Sequence, residues 1–318
     1  MITSGIKNSL FKVAALLLSA GVGLAANDFE GRWDLTESAQ DRKYASWLEV
    51  TPKGSGWTGR FLSRSGHAMP AKVAIKDEEL KVVMLDDNPE RSRPSDRKWP
   101  ALTGRLVEGK LQGTGSDSRG RPFEWSGVRA PDRSEGSDRK VTWAEPVQIF
   151  NGKDLSGWEP MPGRRPSQWT VSGGVLTNAD SGANLRTTGT FRDFKLHAEY
   201  KVPKGSNSGI YLRGRYETQV VDQYGRPPHS RGNGGIYGHI APTVNAVKPA
   251  GEWNTLDATI IGYRVTIVLN GQKVIDGKLI DGITGGAIDS NEAAPGPIFL
   301  QGDHGPVYYR NIVLTPAE

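Results

Sequence analysis

Glu217, Gln219 and Asp222 lie in the stretch RYETQVVDQYG, residues 215–225, whose Val, Thr and Tyr content reads as a β-strand. Acids are depleted in strands, because a half-buried pleated surface favours apolar and β-branched side chains. A carboxyl kept there beside an amide has the makings of an acid or base that moves a proton, and Glu217 is the first candidate. On strict alternation Arg215, Glu217, Gln219 and Val221 share one face, with Tyr216, Thr218, Val220 and Asp222 on the other. A bulge after Gln219 would return Asp222 to the Glu217 side, so Asp222 is a second catalytic candidate.

Neighbouring segments supply possible partners. In KGSNSGIYLRGR, Asn207 precedes a glycine and suits either a ligand hydrogen bond or the cap of its own turn. Tyr211 and Arg213 follow at alternate positions: if their face is the cleft, Tyr211 stacks on a ring and Arg213 holds an oxyanion or orients Glu217. PAGEWNTLD offers Trp253 and Asn254 at a strand start, Trp253 suiting a stacking platform or a core position equally. LQGDHG offers Gln301, Asp303 and His304, and a histidine titrates near neutral pH. The Gly/Pro-rich loop 225–249 has the length of a lid or rim. Its His229 and His239 fit no metal motif, and no metal or cofactor is implied.

These segments need a scaffold. At 318 residues the chain is long enough for about two domains. Residues 1–26 have the order of a secretory signal peptide: Lys7 and Lys12, an apolar run Val13 to Leu24, then small residues before cleavage after Ala26. The expected location is therefore periplasmic or secreted, with no stable membrane insertion once the leader is removed. Cysteine is absent, so stability must come from the core rather than from disulfides. The formal charge of +5 falls to +3 without the two leader lysines, and no basic block gives nucleic acid a footprint.

Forty glycines, twenty prolines and recurrent short Val/Ile/Thr/aromatic runs, with no helical period outside the leader, predict an all-β chain. Residues 27–130 read as a small β-meander, a sandwich or an incomplete barrel. Hairpins close at DEE (Asp77 to Glu79) and EGK (Glu108 to Lys110). Residues 131–146 read as a charged linker. From 147 to 318 the alternation in DFKLHAEYKV and the Asn270-Gly271 hairpin signal predict two packed antiparallel sheets in a jelly-roll sandwich.

The series IFNGKDLSGW, WTVSGGVLTN, LRTTGTFRDFKLHAEYKV, NSGIYLRGRYETQVVD, PAGEWNTLDATIIGYRVTIVLNGQKV and GPIFLQGDHGPVYYRNIVL closely resembles the family of 3-keto-disaccharide hydrolase domains, from about residue 147 to 316. The resemblance implies a concanavalin- or laminarinase-like jelly roll, usually exported, acting on glycosides already oxidised at C3. A C3 ketone acidifies the C2 proton, so a base can remove it while the C1 substituent departs, after which water adds. Within that resemblance Glu217, His304 and Asp222 are the catalytic candidates. Arg213, Gln219, Tyr211, Asn207, Trp253, Asn254 and Gln301 are the substrate-binding ones. The Glu-x-Gln-x-x-Asp spacing also resembles the bulged acidic motif of laminarinases and lichenases, with Gln219 in place of its central acid. The rival readings are a non-catalytic carbohydrate-binding module and an envelope adhesion or scaffold protein. The first domain lies outside the resemblance.

Overall fold

A computed structural model describes residues 26–85, 98–134, 140–163 and 165–318, whose regular elements are antiparallel β-strands and one short 3-10 turn at Ala26–Phe29. Residues 1–25, within the expected leader, lie outside the described residues. The first unit runs through β1 (Gly31–Ala39), β2 (Arg42–Lys53), β3 (Gly56–Leu62), β4 (Met69–Lys76), β5 (Glu79–Met84), β6 (Ala101–Val107), β7 (Lys110–Ser116) and β8 (Pro122–Arg129). Each strand pairs with the next, and β8 returns to pair with β1. The meander is thus a closed barrel, neither the sandwich nor the incomplete barrel that the sequence left open. Closure removes the unpaired edges an open meander would expose. Alternate residues such as Leu80, Val82 and Met84 point inward to join Trp33, Phe61 and Trp125 in a packed core.

Strand β2 departs from alternation: Ala45, Ser46, Trp47 and Leu48 are all buried, as happens when both faces of a strand are covered. Leu48 and Val50 fill the barrel, whereas Ala45 and Trp47, with Leu62 of β3, join the core of the second unit. Each large apolar side chain buried in this seam contributes about 1.5–3 kcal/mol. The expected linker is pinned to the second unit. Arg133 donates to Glu292 Oε2 at 2.6 Å, and Trp143 bridges to Ala317 with the Lys195 ammonium 4.4 Å from its ring centroid. Its residues 135–139 lie outside the described residues.

The second unit comprises β9 (Val147–Gln148), β10 (Trp158–Pro160), β11 (Trp169–Ser172), β12 (Val175–Asn178), β13 (Leu185–Thr187), β14 (Phe194–Lys201), β15 (Asn207–Leu212), β16 (Tyr216–Val221), β17 (Asn254–Ile261), β18 (Arg264–Leu269), β19 (Gln272–Leu279), β20 (Phe299–Leu300) and β21 (Val307–Pro316). One sheet has the order β10-β13-β20-β15-β16. The other has β11-β12-β21-β14-β17-β18-β19, with β9 on the flank of β21. Strand β14 buries Phe194, Leu196, Ala198 and Tyr200 on one face, as its alternation predicts. Together the sheets form an all-β jelly-roll sandwich whose shorter sheet turns its outer face toward the barrel.

Candidate active site

Strands β15 and β16 pair without a register shift, from Asn207 opposite Val221 to Leu212 opposite Tyr216. Ile210, Leu212, Tyr216 and Val220 point into the sandwich core. Asn207, Tyr211, Glu217 and Gln219 occupy the opposite face and line a cavity of about 160 Å³. That is close to the ~150 Å³ that accommodates one six-membered ring. Gly209 makes room for the acid, because a Cβ there would overlap the Glu217 carboxyl group.

Glu217 is almost fully buried and its carboxyl group is held from two sides. Tyr211 Oη is 3.0 Å from Glu217 Oε2 and 2.7 Å from the Gly285 carbonyl oxygen. A phenol has one proton to donate. That proton is shared between the Glu217 carboxyl and the Gly285 carbonyl, both of which accept from Tyr211. Burial pushes Glu217 up to about 8, against the opposing pull of the Tyr211 hydrogen bond and the nearby His304. At neutral pH Glu217 is therefore a carboxylic acid. With its amide oriented to satisfy its surroundings, Gln219 donates to Glu217 Oε1 at 3.1 Å and to the Ser208 carbonyl at 3.0 Å. Thr284 Oγ1 accepts from the Glu217 backbone N–H at 2.9 Å, so the residue is fixed at main chain and side chain alike.

The opposite wall follows β20. Phe299 stacks on Tyr211 with ring centroids 4.1 Å apart and planes 10° from parallel. Gln301 lines the cavity with its Oε1 buried and unbonded among the described residues, an acceptor awaiting a ligand donor. Asn184 engages its oxygen with the Gly302 N–H at 2.8 Å, which leaves its NH2 group as a donor at the same wall. Asp303 Oδ1 lies 2.6 Å from His304 Nδ1, and this hydrogen bond raises the imidazole above its ordinary value. His304 holds Asp303 low in return, outweighing the opposing effect of burial. Among the described residues no hydrogen bond engages His304 Nε2, which leaves that edge for a ligand in the arrangement by which a carboxylate orients a histidine for proton transfer. Tyr237 closes the rim from the loop after β16, its N–H bonded to the Glu217 carbonyl at 3.0 Å. Ser65 and Gly66 of the barrel complete the lining.

The structure therefore gathers Glu217, His304, Gln219, Tyr211, Asn207 and Gln301 around one cavity. Tyr211 differs from the expected ring platform: its face is covered by Phe299 and its hydroxyl contacts the acid. Four candidates lie elsewhere. Arg213 and Gly214 have φ of 55° and 66° in the three-residue turn 213–215 between β15 and β16, so alternation ends before Arg213. Its guanidinium turns to Asp193 at 2.7 Å and to the Arg192 carbonyl. With no bulge, Asp222 stays off the Glu217 side and accepts from the Gly205 N–H at 2.8 Å, capping the turn before β15. Trp253 sits beneath Arg310 and Lys201, 4.1 and 5.1 Å from its ring, outside the cavity lining. Asn254 accepts from the Lys248 N–H at 2.9 Å and the Asn270 side chain at 2.8 Å, tying two turns together. Asn184, Tyr237, Gly285, Gly286 and Phe299 line the cavity beyond the predicted set, and Asp303, named with His304 in LQGDHG but given no role there, lines it too.

The family model of the 3-keto-alpha-glucoside-1,2-lyase-like domain matches residues 145–315. A 3-keto-disaccharide hydrolase from Bacteroides thetaiotaomicron is 30% identical over 158 residues, 38% of this chain and 54% of that relative. The chain thus spans about half the length of the curated relative it matches. A candidate glycosyl hydrolase structure from Parabacteroides distasonis is 32% identical, with a TM-score of 0.46 over 55% of this chain and 84% of that one. The carbohydrate binding module CBM66 from Bacillus subtilis is 14% identical, with a TM-score of 0.36 over 49% and 93%. More than half of the chain lies within the family match, and the chain belongs to the 3-keto-alpha-glucoside-1,2-lyase-like family.

Proposed function

We propose that this protein cleaves 3-keto-α-glucosides by elimination across C1 and C2 followed by hydration, with Glu217 as the acid and His304 as the base. The observation that carries the reading is a single buried carboxylic acid, protonated at neutral pH, in a ring-sized cavity that also holds a histidine oriented by a carboxylate. Family membership supports the substrate class, and the family's description names a 1,2-lyase.

The steps balance on these two groups. His304 takes the C2 proton, the C1–O bond breaks, and the departing oxygen takes the Glu217 proton, leaving a C1=C2 double bond conjugated to the C3 ketone. Water then adds its oxygen to C1 and returns a proton to Glu217, while His304 returns its proton to C2. The free NH2 of Asn184 and the acceptor Gln301 Oε1 are suited to ring hydroxyl or carbonyl groups. A retaining two-carboxylate route requires a second acid about 5–5.5 Å from the first; Gln219 stands beside Glu217 on the sheet, and the cavity's other carboxylate, Asp303, is engaged by His304. The leader-like order of residues 1–26 supports export to the periplasm or beyond.

The test incubates the protein with an α-glucoside and its 3-keto counterpart in deuterium oxide. Turnover of the keto substrate alone, with deuterium at C2 of the product, is expected. Cleavage without deuterium uptake overturns elimination, and sugar binding without cleavage of either substrate leaves a carbohydrate-binding module.

A further inference from the structure

We propose that the barrel is part of the catalytic unit: its β3–β4 loop, through Ser65 and Gly66, walls the sugar pocket and determines which substrates fit. This deepens the glycoside-cleaving reading and rests on it. The family match begins at residue 145, so the wall is supplied by a segment outside the family domain.

The loop is seated against the sandwich at several points. Gly285 lets it approach, since a Cβ there would overlap the Gly66 backbone, and a Cβ at Gly238 would overlap the His67 side chain. Leu62 at one end and Ala68 at the other pack into the sandwich core. Arg64 between them is anchored in the opposite direction, to the buried Glu37 of the barrel at 2.6 Å.

The same docking braces the acid. Residues 281–286 run between the barrel and Glu217. On the barrel side, Arg60 donates to Asp281 at 2.8 Å, Trp47 Nε1 donates to the Ile283 carbonyl at 3.0 Å, and Gly66 abuts Gly285. On the catalytic side, Thr284 receives the Glu217 N–H and Gly285 receives the Tyr211 hydroxyl. A one-ring pocket walled in this way admits a sugar ring with small substituents on the edge facing Ser65 and rejects one extended there.

The test uses the full chain with Ser65→Trp, which fills the rim from an exposed position, and Lys72→Trp on an exposed barrel strand as the control. The probe is p-nitrophenyl 3-keto-α-glucoside. For a folded Ser65→Trp variant KM rises at least about tenfold while kcat changes by less than about threefold, and Lys72→Trp matches the parent. Calorimetric binding of 3-keto-glucose to Glu217→Gln, with and without Ser65→Trp, shows the same loss of affinity independently of turnover. An unchanged KM and an unchanged affinity in the Ser65→Trp chains overturn the barrel wall and leave the cleavage reading intact. A parent chain that neither turns over nor binds these sugars removes both.

Discussion

Tyr211 and Glu217 stand directly opposite each other in the β15–β16 register, and their oxygens meet at 3.0 Å while the same phenol reaches the Gly285 carbonyl at 2.7 Å. Through Tyr211 the Glu217 carboxyl is thereby tied to a backbone carbonyl at Gly285, where the barrel loop abuts. One cross-strand pair connects the buried acid to the seam between the two units.

Glu217→Gln retains the shape of the acid and removes its proton-transfer capacity. Turnover of a 3-keto-α-glucoside is expected to fall by about 10²–10⁴-fold, the usual contribution of a placed general acid, with KM little changed. Steady-state kinetics on a variant of unaltered fold decides it; retention of full turnover removes Glu217 from the mechanism.

The same variant has a stability signature. Folded Glu217 keeps its proton to about pH 8, whereas at its ordinary value of 4.5 an unfolded glutamate has already released it. Between these values the folded state holds the extra proton, so stability declines as pH rises through the window. Glu217→Gln removes that decline and is expected to be more stable than the parent at pH 9 by a few kcal/mol, on the order of the shift itself. Denaturant midpoints at pH 5 and pH 9 measure the difference, which should be small at the lower pH.

Activity should follow a narrow bell. Its acidic limb belongs to His304, which must lose its proton and is held above 6.5 by Asp303, and its basic limb to Glu217 near 8. Asp303→Asn removes the raising influence and moves the acidic limb to lower pH. Tyr211→Phe removes a hydrogen bond that lowers Glu217 and moves the basic limb to higher pH. Profiles of kcat/KM against pH for the two variants check the assignments separately, and limbs that move together contradict them.

Gly209→Ala places a methyl group where the Glu217 carboxyl lies. The displaced acid is expected to lose on the order of 10²-fold in kcat, the scale of an ångström of misplacement at a reacting centre. Circular dichroism should show the fold retained.

Glu292→Gln tests the seam. Glu292 is buried at 1% exposure and receives Arg32 and Arg133, each at 2.6 Å, and the Tyr216 hydroxyl at 2.9 Å. Removing its charge takes a 2.6 Å carboxylate contact from each of two largely buried guanidinium groups, and Arg32 keeps Asp34 at 3.3 Å. A loss of about 3–5 kcal/mol is expected, as for other broken buried pairs. Chemical denaturation reads it, and a loss below about 1 kcal/mol places the pair in the weak class of solvated surface bridges.

Much of the candidate site was legible because strand alternation is a local rule. It grouped Glu217 with Gln219, and the Asn270-Gly271 signal matches a turn with φ of 50° and 79°. Alternation misled at Arg213 because the rule stops where backbone φ turns positive, and nothing in LRGR marks which residue begins the turn. Asp222 looked catalytic through its spacing from Glu217, but the bulge that spacing needed is absent, and its carboxyl caps a turn instead. Ser65 carried no signal at all. Its place in the cavity depends on how the barrel docks, through pairings more than 200 residues apart such as Trp47 with Ile283.

Trp47 is anchored in a barrel strand while its ring belongs to the core of the sandwich. The two units therefore share a load path rather than a boundary: neither can loosen without opening a hole in the other. On the proposed reading, variation in a barrel that takes no part in bond breaking is expected to surface as altered turnover, with the barrel a remote governor of the chemistry.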